Sequence, residues 1–420
     1  MQVRHAEESE FEEVLEITQE AFRKGSAGSS TGEFERTIVE ATVTDDPNFC
    51  RGDLRIVEVE SRIVSMMLII RRQVRIGKSE VKNAIVSPVA TRPGYERKGY
   101  CSLVMRDGVN YMKEQGFNLT TLWGHPWLYK RYGYTPAMTS PSIAIKPEKC
   151  TATKFPSGFT ADPFAVSQTK TVTDIYHQNT KNQMLAEIRH PEPFEWNIRS
   201  PTVDFKTVSD RKGRVVGYYA MSAKALPERS FLEIGVDNIE ACRAVYNTTL
   251  KHAKQKGLTE IVCSMSPRHP YARFAYWHNA ELRKTMGSGA GFAQILDVPR
   301  LLTGISKELQ RRVSLSEYCN KSASMSIKTE RGTSDLLIHD GEVTASGETS
   351  LTDCTIKFSN SSLTPLVTGY MSVHELVEQQ EVTIERKAQN RLRATVVLRL
   401  VDILFPKNTP FGSNLPLFWE

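Results

Sequence analysis

The stretch "YERKGYCSLV", Tyr95 to Val104, places two basic residues and a glycine directly before an apolar run. A helix start leaves N–H groups unpaired at the positive end of its dipole, so a junction of this kind suits a phosphate. Gly99 would let the backbone approach a ligand, and Arg97 and Lys98 add positive charge. A solvated turn before a surface helix has the same composition, so the surrounding sequence has to decide between the two.

Downstream, Tyr100, Leu103, Val104, Tyr111 and Met112 fall on one helical face, and "KEQG" closes the segment with Gly116 as a C-cap. "FNLTTLW" then reads as a buried strand, and "PWLYKRYGY", opened by Pro126 and stopped at Gly133, as a short helix. Upstream, "LRIVEVE", "RIVSMMLII", "QVRIGK" and "SEVKNAIVSPVAT" predict an antiparallel meander from Leu54 to Thr91. The chain opens on a helix with Phe11, Val14, Leu15, Thr18 and Phe22 at helical spacing, behind a capping box of Ser9 and Glu12. The Gly/Ser-rich segment from Phe22 to Thr37 is expected to be a lid over substrate, with Glu33 and Glu35 either attracting a cationic amine or simply solvated.

A linker from Pro147 to Pro163 leads into a second cycle. "GRVVGYYAMS" and "FLEIGVDN" read as strands, "IEACRAVYNTTLKHAKQKG" as a helix, "LTEIVCSM" as a strand and "PYARFAYWHNA" as a closing helix. The half-similarity predicts a duplicated α/β unit. Its second copy joins strand to helix through "VDNIEA", without Gly, Lys or Arg. Beyond Thr303, four strand-like segments and the helical stretch "LTPLVTGYMSVHELV" give a third region of α+β character. The expected domains are 1–147, 148–302 and 303–420, in a mixed α/β and α+β chain whose 420 residues suit two or three cores.

The net charge of +6 is spread among acidic residues, which argues against a nucleic-acid arm. Seven isolated cysteines without a CxxC pair favour a reducing cytosol, and His252 and His269 have no ligand partners at metal spacing, so no metal is expected. The acidic start lacks the pattern of a signal peptide, and "IVSMMLII" is too short to span a bilayer. A cytoplasmic chain without membrane insertion is expected.

The order V-x-T-x-P, then R-K-G-Y before a helix, then Y-x-x-Y-G-Y, resembles the GCN5-related N-acetyltransferases. The resemblance implies that the loop grips the pyrophosphate of acetyl-CoA. Against that family's pattern of Arg or Gln, two variable residues, Gly, one variable residue and Gly or Ala, this chain has Glu96, Arg97, Lys98, Gly99, Tyr100 and Cys101. Glu96 and Cys101 depart from it, while backbone donors from Arg97 to Ser102 remain available. By the same resemblance, Val89, Ala90 and Thr91 offer a strand edge to the pantetheine arm, and Gly124 and His125 lie near the cofactor. On chemistry alone His125 reads equally as a general base or as a capping or loop histidine.

The whole-chain plan is similar to the enhanced-intracellular-survival (Eis) family: tandem GNAT-like domains, the second degenerate, followed by a sterol-carrier-protein-like domain whose C-terminus reaches the active site. The resemblance implies a closed homo-oligomer, a hexamer, and acetylation of aminoglycosides or lysine-like amines. It assigns Tyr129 as general acid and the terminal carboxylate of Glu420 as general base. Packing alone also accounts for Tyr129 among Trp127, Tyr132 and Tyr134, and "PLFWE" equally for a tail docked on the core. The expected function is acetyl-CoA-dependent N-acetyl transfer to a small or peptidic primary amine. The alternatives are a non-catalytic CoA-sensing or lipid-binding protein, or an enzyme using another acyl-CoA.

Overall fold

The computed structural model describes residues 2–23, 32–192, 203–222, 230–285, 291–348, 352–386 and 393–411. The chain divides into two units, one of Met1–Met138 with Gly287–Pro410, the other of Thr139–Met286 joined by Phe411.

The first unit is built on a seven-stranded sheet in the order Gln2–His5, Leu54–Val59, Arg62–Ile76, Ser79–Thr91, Leu119–Trp123, Gly291–Ile295, Thr135–Pro136. The meander has three strands rather than four segments, because "RIVSMMLII" and "RRQVRI" form one 15-residue strand. The polar residues that interrupt its pattern are absorbed by ion pairs: Arg71 Nε to Asp53 at 2.7 Å and Arg72 Nη1 to the buried Asp46 at 2.6 Å. Helix Tyr100–Glu114 packs Val104, Met105 and Met112 onto Val57, Val64, Met67 and Val86 of the sheet. It ends as expected at Gly116, whose φ of 78° lets its N–H reach Lys113 and that of Phe117 reach Met112.

Helix Phe11–Phe22 starts one residue later than the Ser9 and Glu12 capping box predicts, and the capping box that forms is that of Glu7 and Glu10. A 3₁₀ turn, Glu8–Glu10, precedes it, and Glu10 accepts the Glu7 N–H at 2.8 Å while Arg4 holds the same carboxylate. The expected lid is a helix from its second half onward, Glu33–Asp45, and its first half lies outside the described residues.

Two strands move the expected domain boundaries. Ser140–Ile145 sits in the second unit between Ile261–Ser264 and Glu281–Thr285, so that unit begins at 139 rather than 148. Gly291–Ile295 sits in the first unit's sheet between Leu119–Trp123 and Thr135–Pro136, so the return point is 287 rather than 303. Residues 303–410 group with the first unit, and carry a five-stranded sheet in the order Glu342–Ser346, Gly332–His339, Ala323–Thr329, Cys354–Phe358, Val382–Arg386. The helical stretch there is two helices, Asn360–Thr368 and Val373–Glu378. Gly369 at φ 75° ends the first, and Ser372 with Glu375 caps the second.

In the second unit, strands Thr160–Pro163, Val203–Ser209, Val215–Ser222 and Phe231–Val236 form one sheet, and helix Ile239–Lys256 packs on them. His269 caps helix Pro270–Trp277: its Nδ1 accepts the Tyr271 N–H at 3.2 Å. Burial drives its pKa down to about 4, against the charge of Glu233 and a bond to the Ile234 backbone, which raise it less. The fold therefore favours the neutral ring, with a folded pKa below the unfolded one. That contribution is complete above pH 6.5 and is lost as pH falls toward 4, worth about 3 kcal/mol. Urea unfolding across this window should show the loss, and His269→Asn should flatten it.

Candidate active site

The strands Ser79–Thr91 and Leu119–Trp123 run parallel but pair only over Asn83–Ile85 against Leu119–Thr121. Beyond Ile85 they part. On its other side, the first strand carries a bulge: Ile69 faces Val86 and Met67 faces Val89, so Ser87 and Pro88 together oppose Leu68. Pro88 has no N–H to give to a ladder. The result is a gap with Val89, Ala90 and Thr91 along one edge and Leu122 to Gly124 opposite. The Ala90 carbonyl accepts from Ser65 Oγ at 2.9 Å, and Ser65 Oγ lies 3.0 Å from Thr91 Oγ1.

The loop leaving this strand alternates hand, with Gly94 at φ 84°, Arg97 at 61° and Gly99 at 90°. Successive left- and right-handed residues turn backbone N–H groups toward one concavity, a geometry that binds anions. It opens directly onto the helix at Tyr100, whose first turn holds no acidic residue and whose N-cap, Gly99, has no side chain to occupy the N–H groups of Tyr100, Cys101 and Ser102. A Cβ at Gly99 would meet nothing within 4 Å, so glycine is required there by φ, and the space beside it is open. Glu96 folds back so that its carboxylate accepts the Gly94 N–H at 2.6 Å. Its charge is thus partly engaged by its own loop. Lys98 lies 4.8 Å from the Tyr95 ring centroid, and Arg62 5.8 Å from the same ring.

On the far side of the gap, Gly124 and His125 lead into the helix Pro126–Tyr129 and a 3₁₀ turn to Tyr132. A Cβ on Gly124 would sit 2.3 Å from Cε2 of Tyr129, so glycine makes room for that ring. Tyr129 is half-buried and stands edge-on to Tyr134, their centroids 6.2 Å apart. Burial, with Cys101 and Tyr132 close by, pushes its phenol up to about 12. It is therefore a proton-bearing donor throughout the physiological range. Burial likewise raises the Cys101 thiol, despite a bond to Tyr132, and Ser102 Oγ lies 2.9 Å from the Tyr132 hydroxyl. Cys101 and Ser102 on one element and Tyr129 and Tyr132 on the other bring the first turn of the phosphate-type helix against the tyrosine turn. His125 neither caps the helix nor is buried. It is exposed and stacks on Trp127 with centroids 5.9 Å apart. Glu420 lies outside the described residues.

One contributor was not legible in the sequence. The hairpin joining Ala323–Thr329 to Gly332–His339 sends Arg331 to the end of the tyrosine turn, where Nη1 donates to the Ile295 carbonyl at 2.8 Å. Its Nη2 would lie 2.0 Å from a Cβ on Gly133, the residue that ends that turn at φ 84°. The third region thus buttresses the segment that carries Tyr129. No local signal marks this arginine, because the contact joins residues about two hundred positions apart.

Among its described residues the second unit has no counterpart of the loop. Helix Ile239–Lys256 is capped by Asn238, whose side chain accepts the Ala241 N–H at 2.9 Å, and Glu240 occupies its first turn. Both features disfavour an anion there. Among the described residues no group of three or more His, Cys, Asp or Glu is arranged to hold a metal ion.

The model of an acetyltransferase (GNAT) domain matches residues 2–137. No curated protein sequence matches the chain. Solved structures share its fold from end to end. A GCN5-related N-acetyltransferase from Anabaena variabilis aligns with a TM-score of 0.72 at 14% identity, covering 98% of each chain. A probable N-acyltransferase from Enterococcus faecalis aligns with a TM-score of 0.72 at 16% identity over 98% of this chain and 99% of that one. Eis1 from Mycobacterium abscessus aligns with a TM-score of 0.63 at 14% identity, over 99% and 100%. Residues 2–137 are thus an acetyltransferase domain of the GNAT type, in a mixed α+β chain with GNAT-like folds. The catalytic class it carries is N-acetyl transfer.

Gly124→Ala forces the Tyr129 ring aside, an overpacking worth about 1–3 kcal/mol. It should lower the turnover of acetyl transfer at least tenfold while the melting temperature moves by only a few degrees. Thiol release and a thermal scan check both.

Proposed function

We propose that the chain transfers an acetyl group from acetyl-CoA to a primary amine by direct attack within a ternary complex, in an Eis-like manner. The observation that carries this reading is the meeting of three features: the parted strands, the glycine-opened helix start, and Tyr129 packed against that start. In this arrangement the pyrophosphate lies on the N–H groups from Arg97 to Ser102, with Arg97 and Lys98 at the rim. The pantetheine arm extends the edge at Val89, Ala90 and Thr91, and the thioester reaches the gap beside Gly124 and His125.

The departing thiolate needs a proton or a strong hydrogen bond, and Tyr129 is the donor. A phenol at about 12 sits about 3.5 units above an ordinary thiol, so complete transfer costs about 5 kcal/mol. Tyr129 therefore acts as a hydrogen-bond donor to the developing thiolate, and complete transfer of its proton carries that cost. The terminal carboxylate of Glu420 takes the proton of the attacking amine. An unperturbed α-carboxyl titrates near ~3.5, so this role requires a desolvated setting or a water relay.

The acceptor is a cationic small molecule or peptide, of the aminoglycoside, polyamine or lysine type. The third region is sterol-carrier-protein-like and its end returns to the acyl site. The protein works in the cytoplasm as a closed homo-oligomer, a hexamer. Among the described residues no helix is long and apolar enough to cross a membrane.

Acetyl-CoA turnover, followed as thiol release over a panel of aminoglycosides, polyamines and lysine peptides, tests the reading. Tyr129→Phe should lower kcat about 100-fold or more, within the range for loss of a general acid, and leave acetyl-CoA binding unchanged. Removal of Glu420 should lower kcat as well. Unchanged turnover in Tyr129→Phe would overturn the assignment, and binding of acetyl-CoA without turnover on any amine would favour a binding protein.

A further inference from the structure

The helix Glu33–Asp45 carries one carboxylate that the chemistry above does not use. Glu33 is exposed, as expected of an acidic residue beside a Gly/Ser-rich segment. Glu35 is not: its Oε2 is buried and has no hydrogen-bond partner among the described residues. A carboxylate withdrawn from water without a partner is unfavourable unless a cation or a proton compensates it.

Its place in the fold is set by its neighbours. Glu35 shares a helical face with Ile38, Val39 and Thr42, all at most 2% exposed. The helix packs on helix Phe11–Phe22 and on the strand Ser79–Thr91. At its C-terminal end Asp46 binds Arg72, which faces Asn83 across the ladder. At its N-terminal end Gly32 abuts the backbone of Gln19, next to Glu20, which binds Arg92 just beyond Thr91. The helix therefore runs along the strand from its Arg92 end toward Asn83. Glu35, one turn in from the start, lies toward the end of the strand that bears Val89 to Thr91.

Two cations at this end of the helix are committed to other carboxylates. Arg36 pairs with Glu12 at 2.8 Å, and Arg92 with Glu13 and Glu20 at 3.1 Å each. We propose that Glu35 is the acceptor-binding residue of the acyl site, forming an ion pair with the ammonium group of a cationic amine such as a polyamine or a lysine-like amine. This rests on the acetyltransferase reading given above, and adds to it the group that selects the acceptor. Desolvation also raises the pKa of Glu35, in keeping with a buried carboxylate whose counter-ion arrives with the substrate. One of its own contacts, to its backbone N–H, acts weakly in the other direction.

The test is steady-state kinetics of the full-length protein with spermidine, kanamycin and lysine ethyl ester, and with p-anisidine as an acceptor that is uncharged at neutral pH. Glu35→Gln keeps shape and removes charge; Glu35→Asp keeps charge and shortens the reach. Glu35→Gln should raise KM for the cationic acceptors about 10- to 100-fold, leave KM for acetyl-CoA and the melting temperature unchanged, and spare p-anisidine. Glu35→Asp should fall between Glu35→Gln and wild type. A cationic-acceptor KM within twofold of wild type, or an equal rise in KM for acetyl-CoA, would overturn the assignment while leaving the acetyltransferase reading intact. A wild-type protein that acetylates none of these amines would overturn both.

Discussion

Everything at the candidate site depends on where two parallel strands stop pairing. Had Ser79–Thr91 and Leu119–Trp123 remained bonded along their length, the edge at Val89–Thr91 would be closed and the loop after it would open onto nothing. The bulge at Ser87 and Pro88 and the three-residue ladder at Asn83–Ile85 prevent that. From that gap the positions of the other parts follow. The strand hands the chain to the left-handed loop, the loop to the helix start, and the opposite strand to Gly124 and the tyrosine turn.

The two ends of the gap are fixed by different means. At the loop, the conformation of Gly99 matters more than any side chain, since a Cβ would have room but not the backbone angle. At the tyrosine turn the reverse holds: Gly124 is there because the Tyr129 ring fills the space a Cβ would need. Arg331 closes the far end of the same turn, so a residue of the C-terminal sheet helps hold a side chain of the N-terminal domain.

The parts of this that were legible in the sequence are those carried by near neighbours along the chain. The 3.6-residue period after Gly99, the Schellman stop at Gly116 and the Pro126 to Gly133 turn each rest on contacts within a few residues, and each formed where its residues predicted. What could not be read depends on distant pairing. "GFAQI" belongs to a sheet that begins almost three hundred residues earlier, and "SPSIAI" to one completed over a hundred residues later. Glu33 and Glu35 were both legible as possible amine contacts, but which of them is withdrawn from solvent depends on the strand the helix packs against and could not be read. Within single segments, the misreadings came from polar residues whose partners lie elsewhere, as with Arg71 and Arg72, or from a glycine inside an apolar run, as with Gly369.

The central claim is that one open helix start, in the first unit alone, holds acetyl-CoA, since the corresponding start in the second unit is capped by Asn238 and carries Glu240. Calorimetric titration of acetyl-CoA into the full-length protein, with wild type beside Gly99→Val, measures it directly. One site per chain, lost or severely weakened in the variant, is the result the account predicts. Two sites per chain, or one that survives Gly99→Val with unchanged affinity, would contradict it.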